Sequence, residues 1–178
     1  MIRRGFSLGS RLVPIALAVL IASTALAQPT VEELLGKMPA QTTQDMAAAS
    51  QALVDRGPDA IKGVCATLVP PGGGDDVNAR FLLSGLAKHV SRGDAEEARA
   101  MVSNALLQAV EAAEDSEVKA FLIRQVQICG GAEAVDVLLK DLGDDRLVEP
   151  ATQALLAIRT ENVVPALKAA FEDAEGAR

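Results

Sequence analysis

Aromatic side chains are nearly missing. The 178-residue chain has no Trp, no Tyr and four Phe. It therefore lacks the planar groups on which single-stranded nucleic acids stack. Basic residues are also scarce where they would matter. Arg3, Arg4 and Arg11 fall in an N-terminal segment without Asp or Glu; the remainder has 14 basic and 24 acidic residues, a net charge of −10. Affinity for phosphate backbones comes largely from Lys and Arg, so neither nucleic acid nor an anionic membrane surface is an expected partner. Histidine occurs once and cysteine twice, which leaves little material for metal centres or imidazole-based catalysis.

Aliphatic and small residues fill the gap, with hydrophobic side chains making up 49% of the chain. An Ala-rich aliphatic composition suits close helix–helix packing, whereas strands prefer β-branched and aromatic residues and are depleted in Ala. The expected fold class is all-α.

Residues 1–27 have the layout of a cleavable export signal: a positive flank at Arg3, Arg4 and Arg11, an apolar run from Leu12 to Ala22, and an A-x-A site at Ala25-Leu26-Ala27. Cleavage before Gln28 is expected, which places the mature protein in the periplasm or outside the cell. A membrane anchor is the alternative, but a spanning helix needs about 20 apolar residues. This run is shorter and Pro14 interrupts it. Arg3-Arg4-Gly5-Phe6 resembles the twin-arginine export pattern, although Ile2 stands where Ser or Thr is usual. The general secretory route remains the alternative. Residue 28 is Gln, so the lipoprotein Cys is missing.

From Thr30 onward, apolar residues recur at helical spacing between short breakers. Thr30-Val31-Glu32-Glu33 reads as a capping box, and Thr42 begins a second helix. Gly57-Pro58 ends one helix and starts the next. Pro70-Pro71-Gly72-Gly73-Gly74 is a loop, after which Asp75 or Asp76 caps a helix with the stripe Ala79, Leu82, Leu83, Leu86, Ala87 and Val90. Asp94-Ala95-Glu96-Glu97 is a further capping-box pattern, and Ser116 opens another helix. Gly130-Gly131 and Gly143 bound a helix carrying Val135, Leu138, Leu139 and Leu142. Asp144 or Asp145 starts the following helix, with Pro150 in its first turn; residues 160–162 turn the chain into a last helix with Pro165 near its start. Eight or nine helices joined by short turns are expected, with antiparallel neighbours.

The helices come in pairs. Residues 46–68, 118–142 and 148–171 can be laid over one another, each a helix, a tight turn and a second helix opening on an apolar pair such as Ala60-Ile61, Ala134-Val135 or Val163-Val164. Residues 77–110 form a fourth copy with a longer second helix. The pattern resembles the HEAT-like repeat family over residues 43–174, with Asp76 and Arg80 in the places of the family's Asp and Arg, which Lys119 and Glu149 only approximate. The resemblance implies an α-solenoid of about four stacked pairs, with 28–42 as an N-terminal capping helix and 43–178 as the repeats. A closed helical bundle is the rival. Residues 172–178 carry no obvious polar cap, so a partner or further repeats would cover that end.

Residues capable of chemistry have simpler explanations. Cys65 and Cys129 lie on apolar stripes two repeats apart, too far for a disulfide if the pairs stack, and are expected as buried free thiols. His89 sits near a helix C-terminus, where a cation is comfortable, with no nucleophile placed for it. Asp75-Asp76 and Asp144-Asp145 lack the alternating ligands of a calcium loop. Glu111, Glu114, Asp115 and Glu117 form a charged turn. Gly72-Gly73-Gly74 lacks the Lys-Ser/Thr of a phosphate loop. No catalytic, cofactor-binding or metal-binding residues are assigned, and no cofactor is expected.

The resemblance implies a non-enzymatic scaffold whose extended surface binds a protein or peptide. In that family the second helix of each pair lines the inner face; here it would present Lys62, Arg99, Ser103, Asp136, Lys140 and Lys168. An enzyme is the alternative. Some HEAT-like proteins are lyases that attach bilin pigments, and other helical-repeat proteins are DNA glycosylases; the chain could also be the repeat portion of a larger exported enzyme. Export argues against the first, and acidity against the second.

Overall fold

The computed structural model describes residues 28–92, 95–158, 160–161 and 163–176. The export signal read at residues 1–27, and the capping residue Asp94, lie outside the described residues. Within them the protein is all-helical, with no strand. Nine α-helices run α1 (Val31–Gly36), α2 (Thr43–Asp55), α3 (Pro58–Cys65), α4 (Val77–Val90), α5 (Glu96–Ala112), α6 (Ser116–Cys129), α7 (Val135–Lys140), α8 (Val148–Ile158) and α9 (Val163–Gly176). Among the described residues no helix is long and apolar enough to cross a membrane.

Local chemistry fixes most boundaries. Thr30 Oγ1 accepts from Glu33 N–H while Glu33 Oε2 accepts from Thr30 N–H, a complete capping box. Thr42 caps α2 through Asp45 N–H. Gly57 has φ 81°, a left-handed conformation that other residues resist, and Pro58 takes the first position of α3, where a missing N–H costs nothing. Asp115 closes the start of α6 by accepting from Glu117 and Val118 N–H.

Of the two residues expected to cap α4, Asp76 occupies the N-cap position without a side-chain cap bond, and Asp75 Oδ1 accepts from Val77 N–H. Helix α8 begins at Val148 rather than at the Asp144-Asp145 pair; Leu147 and Val148 N–H already donate to Asp144 O, but Pro150 has no N–H to give Arg146 O and so interrupts the ladder there. The helix expected between Gly130-Gly131 and Gly143 is also shorter than read. Only Val135–Lys140 is α-helical, flanked by 3-10 turns at Ala132–Ala134 and Asp141–Gly143.

Packing follows a next-but-one rule. Helix α2 packs on α4, α4 on α6 and α6 on α8; α3 packs on α5 and α7 on α9, while α5 reaches the 3-10 turn ahead of α7. Chain neighbours also touch, within the pairs α2–α3, α4–α5 and α8–α9 and between pairs at α3–α4, α7–α8 and, most extensively, α5–α6. Helix α1 lies against α2, α3 and α4 at one end. The buried side chains form one aliphatic core, with Leu53, Ile61, Leu82, Leu83, Leu86 and Leu106 fully enclosed, and Leu122, Ile123, Leu138 and Leu155 continuing it. Full burial of each such side chain contributes about 1.5–3 kcal/mol, so the core, not helix propensity, holds the helices.

At one point a side chain fills the place a Cβ would take. A Cβ on Gly85 of α4 would overlap Met46 Sδ on α2. Ala at a helical position is normally worth about 1 kcal/mol over Gly, but here it must displace Met46. Gly85→Ala is therefore expected to raise the urea midpoint less in the native background than in a Met46→Ala background. Urea melts of the four combinations check this coupling.

Candidate functional site

A cleft of about 560 Å³ opens where α3, α5 and α6 meet. Its walls follow from the helix order: α3 and α5 are packed neighbours, and α6 turns back against α5. From α3 and the segment after it come Lys62, Cys65, Ala66, Leu68 and Pro70. The last turn of α5 supplies Gln108, Ala109, Ala112 and Ala113. Val118 and Leu122 of α6 complete the apolar wall, with Glu114 and Asp115 at the rim. Small residues create the space: Ala109, Ala112 and Ala113 stand where larger side chains would fill the gap. Leu68, Val118 and Leu122 are buried behind it, whereas Ala66, Gln108, Ala112 and Glu114 are exposed.

The wall after α3 is tied in place by Asp76 and Arg80. Asp76 Oδ2 accepts from Val69 N–H at 3.0 Å, and both carboxylate oxygens accept from Arg80 Nε at 2.9 Å. Arg80 Nη2 donates to Val69 O at 3.1 Å, and its guanidinium lies 4.7 Å from the centroid of Phe121 on α6, within cation–π range. The Arg80 hydrogen bonds hold the Asp76 carboxyl below its ordinary value, against the opposing effect of burial. One charge pair thus joins the loop after α3 to α4 and, through Phe121, to α6.

Rim charges are mostly spoken for. Lys62 Nζ pairs with Asp59 at 2.7 Å, Lys140 with Glu111 at 2.8 Å, and Lys119 with Asp141 at 3.4 Å. Glu114 and Glu117 make no ion pair among the described residues.

The surface expected from the second helices is only partly there. Asp136, Lys140 and Lys168 are exposed. Ser103 is fully buried; it faces the α5 core because the helix turns between Val102 and Leu106, both enclosed. Arg99 is held inward, donating through Nη1 to Cys129 O at 2.7 Å and through Nε to Glu96 at 3.0 Å, so it joins α5 to the end of α6 instead of offering a free cation. The charged turn at Glu111–Glu117 is likewise more than a solvated face, since Asp115 caps α6 and Glu111 pairs with Lys140. Sequence reading missed the cleft, whose only local signal is the run of small residues at 109, 112 and 113.

His89 is half-buried near the end of α4, with Nε2 3.2 Å from Gln51 Oε1. Among the described residues no three His, Cys, Asp or Glu side chains gather as a metal ligand set. Gly72 (φ 81°) and Gly74 (φ 154°) shape the loop after α3. Cys65 and Cys129 are free and buried, and burial pushes both thiols up to about 12. The thiolate is the reactive form, so Ellman's reagent should titrate neither thiol in the native protein and both in denaturant without reductant. One reactive native thiol would show that the helix carrying it is rotated.

No family model, curated protein or solved structure matches the chain. What the described residues define is an all-helical protein of packed helix pairs, with an apolar cleft where α3, α5 and α6 meet.

Proposed function

We propose that the protein is an exported, non-enzymatic helical-repeat module that binds another protein. In this reading the pairs stack as an open α-solenoid of about four HEAT-like repeats, with α1 as the N-terminal cap and the signal at residues 1–27 removed before Gln28. The observation that carries it is the next-but-one contact order, α2–α4–α6–α8 beside α3–α5 and α7–α9. A closed bundle would bring the first and last helices together; here the contacts between pairs pass to the following pair. Such arrays present long surfaces to other chains. The Asp76–Arg80 pair supports the repeat resemblance, since it braces the loop between pairs in the way a recurring structural pair would.

The test has two parts. N-terminal sequencing of the protein recovered from its host should begin at Gln28. In-cell cross-linking should then yield a discrete, saturable complex with a second protein from the exported fraction. A chain still starting at Met1 in the cytoplasm overturns the address, and a lack of any protein adduct overturns the binding role.

A further inference from the structure

We infer that the α3–α5–α6 cleft receives a basic amphipathic peptide segment of the partner, one bulky apolar side chain entering the cleft and an adjacent Lys or Arg resting on the acidic rim. The inference rests on the protein-binding reading above and names the chemistry of the partner at this site.

The cleft's volume, about 560 Å³, lies within the roughly 300–1,000 Å³ of sites that bury most of a ligand. Its depth is lined by Leu68, Ala109, Val118 and Leu122, so what enters must be apolar: a charged or amide side chain would lose its water there without a replacement bond. Ala66 and Ala112 form a low, exposed lip, over which a backbone could pass, and the exposed Gln108 amide beside it offers both a donor and an acceptor.

Charge sets the sign of what lies next to that apolar group. The one cation on the lining, Lys62, is already paired with Asp59 at 2.7 Å. Nearby Lys119 and Lys140 turn to Asp141 and Glu111, and Arg146, which reaches Ser116 Oγ at 3.3 Å, does not line the cleft. Asp115 is already engaged as the cap of α6, and on its outer side the rim adjoins Lys119, Lys140 and Arg146 but also Asp141, Asp144 and Asp145; acid stays in excess there, and exposed Glu114 and Glu117 make no ion pair among the described residues. Complementary charge at a rim steers encounter and selects partners. It favours a basic segment and repels an acidic one or a fatty carboxylate.

The test uses the protein as recovered from its producing cell and a labelled helical peptide with one Phe flanked by lysines, followed by fluorescence anisotropy. Saturable binding is expected, weakened about tenfold or more when the lysines become glutamates or the Phe becomes Ala. Ala112→Trp, at an exposed position, should fill the cleft and abolish binding while circular dichroism stays native. Glu114→Lys should weaken the lysine peptide and reduce its salt dependence, whereas Leu156→Ser on α8 should do neither. Equal affinity for the glutamate peptide, or undiminished binding by Ala112→Trp, overturns the inference. So does self-association that Ala112→Trp abolishes, which would make a second copy the occupant. A cross-linked protein complex that persists in Ala112→Trp overturns the cleft assignment and leaves the binding role standing; loss of every complex in the unmodified protein overturns that role itself.

Discussion

Leu86→Asp is expected to abolish the cooperative urea transition, while His89→Ala shifts its midpoint only slightly. The two residues lie three apart on α4 and differ in what they face. Leu86 is 0% exposed, enclosed with Leu82 and Leu83 in the core that α4 shares with α2 and α6. A carboxylate there has no cation to pair with, and removing such a charge from water costs several kcal/mol. The lost aliphatic burial adds about 2 kcal/mol. Together these approach the whole stability of an ordinary domain, about 5–15 kcal/mol. His89 keeps its edge in solvent and contributes one side-chain hydrogen bond, to Gln51, a net loss of about 1 kcal/mol. Urea melts followed by circular dichroism check the ranking. Equal midpoints would mean that the core face of α4 is misplaced.

Asp76→Ala should cost about 2–4 kcal/mol, through loss of charge-assisted bonds at a site largely closed to water. The Asp76 side chain is 10% exposed and satisfies Val69 N–H and Arg80 Nε together; without it, Arg80 sits over Phe121 with no counter-charge. The same contact makes a pH prediction. Because the folded carboxyl lies below its ordinary value, its stabilisation is fully present above the unfolded value of about 3.9 and disappears as pH falls through the lower folded value. Native protein should therefore lose more stability between neutral pH and pH about 3 than Asp76→Asn does. Urea midpoints of both proteins at the two pH values give the comparison. Identical acid losses would show that Asp76 makes no selective contact with Arg80.

Much of the architecture was legible because short-range chemistry and long-range packing agree. Thr30, Thr42 and Gly57-Pro58 mark helix ends by the backbone groups they satisfy or omit, and the structure puts those ends there. The stripe from Ala79 to Val90 gave the core face of α4, since only one rotation encloses Leu82, Leu83 and Leu86 together. Cys65 and Cys129 are buried and unbridged as expected. Less legible were features decided by a partner distant in the chain. Asp75 and Asp76 read alike as caps; Asp75 bonds the helix start, while Val69 and Arg80 take the oxygens of Asp76. Arg99 looked like a surface cation until the carbonyl of Cys129, 30 residues away, is brought to it. Ser103 was assigned outward by analogy with paired repeats, whereas the spacing of Val102 and Leu106 turns it inward. The cleft is the extreme case: its walls come from residues 62–70 and 108–122, and no single segment announces a gap that exists only between helices.

The binding role at the cleft is tested most directly by placing a photo-activatable benzophenone side chain at Gln108, an exposed position on the lip of the cleft, in the producing cell, with Leu156 on α8 as the exposed control. Irradiation should join position 108 to a discrete protein whose cross-linked peptide carries a bulky apolar residue beside Lys or Arg, and Leu156 should give no such product. Absence of a protein adduct at position 108, or the same adducts from both positions, would contradict a protein-binding role centred on this cleft.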